Sequence, residues 1–317
     1  MKQQVFEQLH TPLWQEMEHL LNDGKLTPDD DFPNRYRTVC QHLAVAKSRQ
    51  YTSSLINRLN RLVVSGHLVL YQKNKTSQAA WIWFLLYGFP KTIRANAHFV
   101  LWAGILFVGP LLALALGCYY NENLIYSLLD VSNVSEFEGM YNPEGSVVGR
   151  VRESDTDLMM FGHYIRNNIG IGFQTFAGGI LLGLGSIFFL VYNGVYIGGI
   201  AGHLTQLGYV DTFYGFVTGH GAFELTAIVF CGAAGLKLGF SLLDPGPLKR
   251  MDALRSAGRQ AILIVYGSAL MLLIAAFIEA FWSSSRDLPL SIKYTTGAVF
   301  AVLLILYFCL AGRSHES

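Results

Sequence analysis

Apolar positions along this chain follow two regimes. Over residues 1–78 they recur at helical spacing. Phe6, Leu9, Leu13, Met17, Leu20 and Leu21 trace one stripe, with Glu7, Gln15, Glu16 and Glu18 on the other side. Asp29, Asp30 and Asp31 with Pro33 separate this stripe from the next, carried by Tyr36, Val39, Leu43 and Ala46. Leu55, Leu59, Leu62 and Val63 trace a third, extended by Leu70. Three short amphipathic helices of this kind predict an antiparallel bundle, read as a cytoplasmic helical domain. Residues 79–97 change character: Trp81, Trp83, Phe84, Tyr87, Phe89 and Pro90, followed by Lys91 and Arg94, predict an interfacial linker against lipid headgroups.

From residue 98 the apolar positions merge into long runs. Spanning segments are expected over about 98–119, 168–192, 195–207, 219–242, 261–282 and 292–310, the first being long enough for about 30 Å of hydrocarbon. Asn193-Gly194 reads as a turn between the second and third. The third is short and glycine-rich, so a crossing and a re-entrant hairpin both remain open. Residues 121–162 form an acid-rich connection in which Leu124, Leu128, Leu129 and Val131, then Phe137 and Tyr141, predict short surface helices. The expected fold is therefore all-α: a polytopic membrane helix bundle of about six spans over residues 98–312, with the helical domain ahead of it. Lys and Arg flank the first span and fill the link between the fourth and fifth, which places both termini on the cytoplasmic side.

Composition supports the membrane reading. Of 317 residues 52% are hydrophobic and only 14% charged, against about a quarter charged in soluble domains. A net charge of +1 offers no field for nucleic acid. Cys40, Cys118, Cys231 and Cys309 lie far apart with no CxxC pair, which argues against a disulfide framework and a cysteine metal site. The N-terminus lacks the apolar core of a secretory signal, so insertion is expected to depend on the internal helices. No phosphate loop, GxGxxG after a strand, or Ser-His-Asp context is present, and no cofactor is expected.

The chemistry concentrates in GHGAFELTAI, Gly219 to Ile228, where His220 and Glu224 lie four apart on one helix face inside an apolar run. A carboxylate at bilayer depth costs about 3 kcal/mol on the lenient insertion scale, which makes it a functional-site candidate. Three accounts stand open: a satisfied polar pair, a lining pair for a proton, ion or lipid-headgroup path, and a pair of metal ligands. Glu279 is a plausible third metal ligand, although without an HExxH or a second HxxxE the metal signal is weak. Glu279 can equally snorkel beside Trp282. Asn167 and Asn168 open the second span, where they cap the helix or face a vestibule, and Gln174 one turn deeper needs a partner. His203 reads as interfacial and Lys237 as snorkelling. Glycines recur four apart at Gly179 and Gly183, at Gly194, Gly198 and Gly202, and at Gly235 and Gly239, ridges suited to close helix packing.

MFGHYIRNN (Met160 to Asn168), FQTFAGGILLGLGSIFFLVYNG (Phe173 to Gly194), GHGAFELTAI, CGAAGLKLG (Cys231 to Gly239) and AAFIEAFWS (Ala275 to Ser283) together resemble the stage II sporulation protein M family. Arg35 to Val63 resembles the helical head of its non-sporulating bacterial branch. The resemblance implies a bacterial inner-membrane location, an all-helical core and a place in a multiprotein assembly. Members of that branch are often encoded beside an AAA-type ATPase and other small membrane proteins, which makes these the implied partners.

The resulting expectation is a non-enzymatic scaffold or anchor in an envelope-associated complex, in contact with membrane lipids and other envelope membrane proteins. The glycine ridges further suggest a homodimer. Two alternatives are a transporter or channel with a polar path past His220 and Glu224, and an intramembrane metal-dependent hydrolase.

Overall fold

The computed structural model describes residues 2–22, 31–71, 77–145, 156–285 and 288–313. The chain divides into two compact units, Met1–Ala80 and Trp81–Ser317.

The first unit contains α1 (Gln3–Asn22), α2 (Phe32–Ser48) and α3 (Ser53–Tyr71). Its core joins Phe6, Trp14 and Met17 of α1 to Val39, Leu43 and Ala46 of α2 and Leu55, Leu59 and Leu62 of α3. The α1 stripe is turned from the expected one. Leu9 is exposed, whereas Trp14 is wholly buried and donates its indole N–H to His42 Nδ1 at 3.1 Å. A large ring with a polar handle supplies more core than leucine, and the helix rotates to bury it. Arg58 then closes the face, donating from Nε and Nη2 to the two oxygens of Glu18 at 2.8 and 2.9 Å. The side chain of Leu70 lies outside the described residues.

The second unit starts with short pieces: the end of α4 (Ser77–Trp83), a π turn (Phe84–Gly88) and α5 (Phe89–Ala95). Phe89 and Ile93 are buried in the bundle core, while Trp81, Ile82, Trp83 and Leu86 remain exposed. Then follow α6 (Ala97–Tyr120), α7 (Val131–Tyr141), α8 (Thr156–Ala177), α9 (Leu184–Gln206), α10 (Val210–Leu243), α11 (Arg250–Ile278) and α12 (Leu290–Leu310). Among the described residues, α6, α9, α10, α11 through Ser283, and α12 are long and apolar enough to cross a membrane. No strand occurs among these residues.

α8 runs through the same bundle but carries Asp157, His163, Arg166, Asn167, Asn168 and Gln174. Its start packs near Ala276 and Ala280, and its end reaches Gly235, so it runs antiparallel to α11 and parallel to α10. α6, α8, α9, α10, α11 and α12 thus alternate in direction.

The expected turn at Asn193-Gly194 does not form; α9 is continuous through it. The amide of Asn193 donates to the Phe189 carbonyl one turn back, and Gly194 lies against the Phe107 carbonyl of α6. Gly198 and Gly202 continue the seam against Leu111 and Ala115, where any Cβ would collide with backbone oxygen. The glycines that read as a turn and a short segment are a packing ridge. The actual break lies earlier, at the 3-10 turn Gly178–Ile180, with Leu182 at φ 54° and Gly183 at φ 86°. Gly183 is in the left-handed region that glycine tolerates, and it abuts Gly239 of α10. The expected segments over 168–192 and 195–207 are therefore corrected to α8 and α9. In the acid-rich connection, a 3-10 turn (Leu124–Ser127) and α7 supply short helices, while Arg150, Arg152, Glu153 and Asp155 lie outside the described residues.

Candidate functional site

The π turn at Glu279–Ser283 sets the site. One wide turn at the end of α11 changes which side chains face the bundle, and such insertions occur often at functional sites. Here Glu279 and Ser283 meet the face of α10 that carries His220 and Glu224. His220 is 4% exposed. Its Nδ1 lies 3.0 Å from the Ser283 hydroxyl, and its Nε2 lies 3.7 Å from Glu224 Oε2. Ligand-capable atoms of His220, Glu224 and Glu279 all fall within 4.8 Å of one another. From α8, Asn168 Nδ2 donates to Glu279 Oε2 at 3.4 Å, and Asn167 Nδ2 donates to Asn168 Oδ1 at 3.1 Å.

These groups line a cavity of about 800 Å³. His220, Glu224, Glu279, Asn167, Asn168 and Gln174 all face it, so every residue of the expected polar site converges there. Glu279 does not snorkel away from the bundle, and Asn167 and Asn168 lie within α8 and do not cap its N-terminus. Tyr126, Phe137 and Tyr141, from the connection that includes α7, line the end of the cavity nearest the α9–α10 link. Two carboxylates this close repel unless a proton or cation lies between them. The cavity wall otherwise mixes amides with aromatic rings, as expected for a small-ligand site.

Sequence reasoning missed Ser283 and Lys293. Lys293, near the start of α12, is buried and donates from Nζ to the Ser283 carbonyl at 3.0 Å. Ser283 thereby joins His220 through its hydroxyl and Lys293 through its backbone. Both residues lie at the edges of an apparent loop, and only the π turn reveals their depth.

The remaining expected polar groups lie elsewhere. Lys237 is half-buried, and its ammonium donates to Asn96 Oδ1 and Gln260 Oε1 towards the other end of α10. His203 is buried, with Nε2 2.8 Å from Glu138 Oε1 of α7. Gly179, Gly183, Gly235 and Gly239 lie where α10 crosses the α8–α9 break, apart from the cavity. Gly179 there abuts the Gly235 carbonyl.

A family model described as stage II sporulation protein M matches residues 96–284, which contain α6 to α11 and the cavity's main polar groups. A second model, described only as a domain of unknown function, matches residues 4–72. Neither a curated protein nor a solved structure matches the chain. With its apolar helices and a family match across more than half its length, this integral membrane protein belongs to the stage II sporulation protein M family.

Proposed function

We propose that the membrane unit binds a small polar or cationic solute in its cavity and passes it across the bacterial cytoplasmic membrane, placing the protein in the transporter class. The observation that carries this reading is the convergence of His220, Glu224, Glu279, Asn168 and Gln174 on one cavity of about 800 Å³. A purely structural polar pair needs neither the volume nor the additional groups. Alternation of the six helices, with Lys and Arg at the end shared by α5, the α10–α11 link and the end of α12, favours cytoplasmic termini and an outward-facing cavity. Reconstituted protein should raise the flux of protons, monovalent cations or divalent cations above that of empty vesicles. Glu224→Gln should reduce that flux at least tenfold. Vesicles no leakier than empty ones to any of these solutes would remove the reading.

A second reading is a scaffold in an envelope complex with other membrane proteins and an AAA-type ATPase. It is favoured by the separately packed first unit, which has its own family match. Crosslinking in native membranes should then capture partners through residues 4–72. Repeated recovery of this chain alone would count against it.

A further inference from the structure

We propose that a divalent transition-metal cation, zinc or manganese, is the ligand of the cavity, held by His220 Nε2 and the carboxylates of Glu224 and Glu279. This rests on the reading of the cavity as a solute-binding site, but not on passage across the membrane.

The argument begins with donor chemistry. One imidazole and two carboxylates form a mixed nitrogen and oxygen set suited to borderline divalent ions, whereas Mg²⁺ and Ca²⁺ favour all-oxygen cages. Their combined negative charge at bilayer depth offsets the dipositive charge of an ion, which a single monovalent cation would leave half uncompensated. Ligand atoms of a tetrahedral zinc ion lie about 3.4 Å apart, given metal–ligand bonds of about 2.1 Å. His220 Nε2 and Glu224 Oε2 are already 3.7 Å apart, and one ligand-capable atom from each of His220, Glu224 and Glu279 lies within 4.8 Å of the others. Carboxylate rotation closes the remaining gap, because Glu side chains reach through three torsions.

The surroundings point the same way. Metal-ligating histidines engage their second ring nitrogen with a neighbouring polar group, which fixes ring orientation. Ser283 does this for His220, receiving Nδ1–H at its hydroxyl in the tautomer that leaves the Nε2 lone pair facing Glu224. Asn168 does the corresponding work for Glu279, donating to one of its carboxylate oxygens and so fixing the group's orientation. The cavity beyond the three donors has room for water or a further ligand on an open coordination position. His203 and Glu138 provide a contrast: they close directly on each other at 2.8 Å, and neither faces the cavity.

The test uses the full chain purified in detergent, stripped with chelator and titrated with ZnCl₂ and separately with MnCl₂. Bound metal is measured by elemental analysis after equilibrium dialysis. One saturable equivalent per chain is expected for at least one of the two ions. Glu224→Gln and Glu279→Gln should each weaken binding at least tenfold, and Ser283→Ala, which spares all three donors, by about tenfold or more. Glu138→Gln should leave it unchanged, as should His10→Ala, which controls for ions bound by the histidines of the first unit. Should the glutamine variants not fold, metal-dependent protection of wild-type and Ser283→Ala protein from heat supplies the same comparison. Absence of saturable binding in wild type, or binding that survives both glutamine substitutions, overturns the proposal. Metal binding without flux would remove only the transport reading. Flux of another solute without metal binding would remove only the metal.

Discussion

α10 carries ionisable groups in both of its halves, and the two halves treat them differently. Lys237 lies about 20 Å along the helix from Glu224, at about 1.5 Å per residue. Its ammonium is occupied by the side-chain oxygens of Asn96 and Gln260, and no part of the cavity reaches it. In the first half, His220 and Glu224 are held near each other at 3.7 Å, without closing, beside a space much larger than a water. A half-buried charge that bonds to the side chains of two other segments ties them together. One left facing a cavity is arranged for something that enters. On the proposed reading the same helix carries a structural polar cluster and a ligand-binding one.

That comparison requires α10 to hold one register, which gives the largest expected effect. Gly235 abuts Ser186 and the carbonyls of Thr175 and Phe176 at the α8–α9 break. Gly235→Leu should cost at least ~3 kcal/mol, because backbone cannot yield as a side chain can. Gly162→Leu in α8, where a Cβ meets nothing within 4 Å, should be close to neutral. Thermal midpoints in detergent check both; equal midpoints would mean that the seam does not fix the register.

The next effect sets the two halves of α10 against each other. Lys237→Met leaves the oxygen of Asn96, a residue 2% exposed, without its donor and should cost about 1–3 kcal/mol. Flux should be unaffected. Glu224→Gln should show the reverse pattern: flux falls at least tenfold, while stability is unchanged or raised as a carboxylate leaves the bilayer interior. If both variants lost stability and neither altered flux, the distinction between the two halves would be gone.

A smaller effect sharpens the comparison with a pair of the same residue types. Glu138→Gln weakens the direct contact with His203 from a charge-assisted bond to a neutral one and should cost about 1 kcal/mol. No change in flux should accompany it. A flux defect as large as that of Glu224→Gln would extend the functional region to α7.

How much of this was legible depended on which physical term decided each feature. His220 and Glu224 stood out because ionisable groups four apart in an apolar run are costly and share a helix face. Glu279, Asn167, Asn168 and Gln174 were legible for the same reason, as polar groups at membrane depth. Their meeting was not legible, since it depends on the π turn that re-aims Glu279 and Ser283, and nothing in IEAFWS distinguishes that turn from a regular helix. The depth of Lys293, at the start of the last expected span, was not legible because its partner is a backbone carbonyl, which carries no sequence signal. Asn193-Gly194 misled in the opposite direction. A turn pair in water is a packing ridge inside a bundle, where Asn bonds back to its own helix and Gly admits the backbone of α6. In the first unit, Leu9 and Trp14 compete for one helix face, and ring size decides the outcome.

A last effect comes from the first unit, where a buried histidine packs among aromatic rings. Burial, aided by the neighbouring His10 ring with centroids 3.9 Å apart, lowers the His42 pKa to about 4. Geometry agrees: Nδ1 of His42 accepts the Trp14 indole N–H, which a protonated nitrogen cannot do. The folded form therefore stays neutral where the unfolded chain, with an ordinary value of about 6.5, takes up a proton. Between those values the unfolded state binds more protons, so stability falls as pH drops from about 6.5 towards 4 and is fully present above that window. Amide exchange of α1 and α2 in the full chain, corrected for intrinsic rates, should accelerate across that interval. His42→Phe should flatten the dependence at the cost of the Trp14 hydrogen bond. A wild-type profile already flat from pH 7 to 4.5 would mean that protonated His42 finds a partner, and the head would then resemble the Lys237 half of α10 more than its own neutral core suggests.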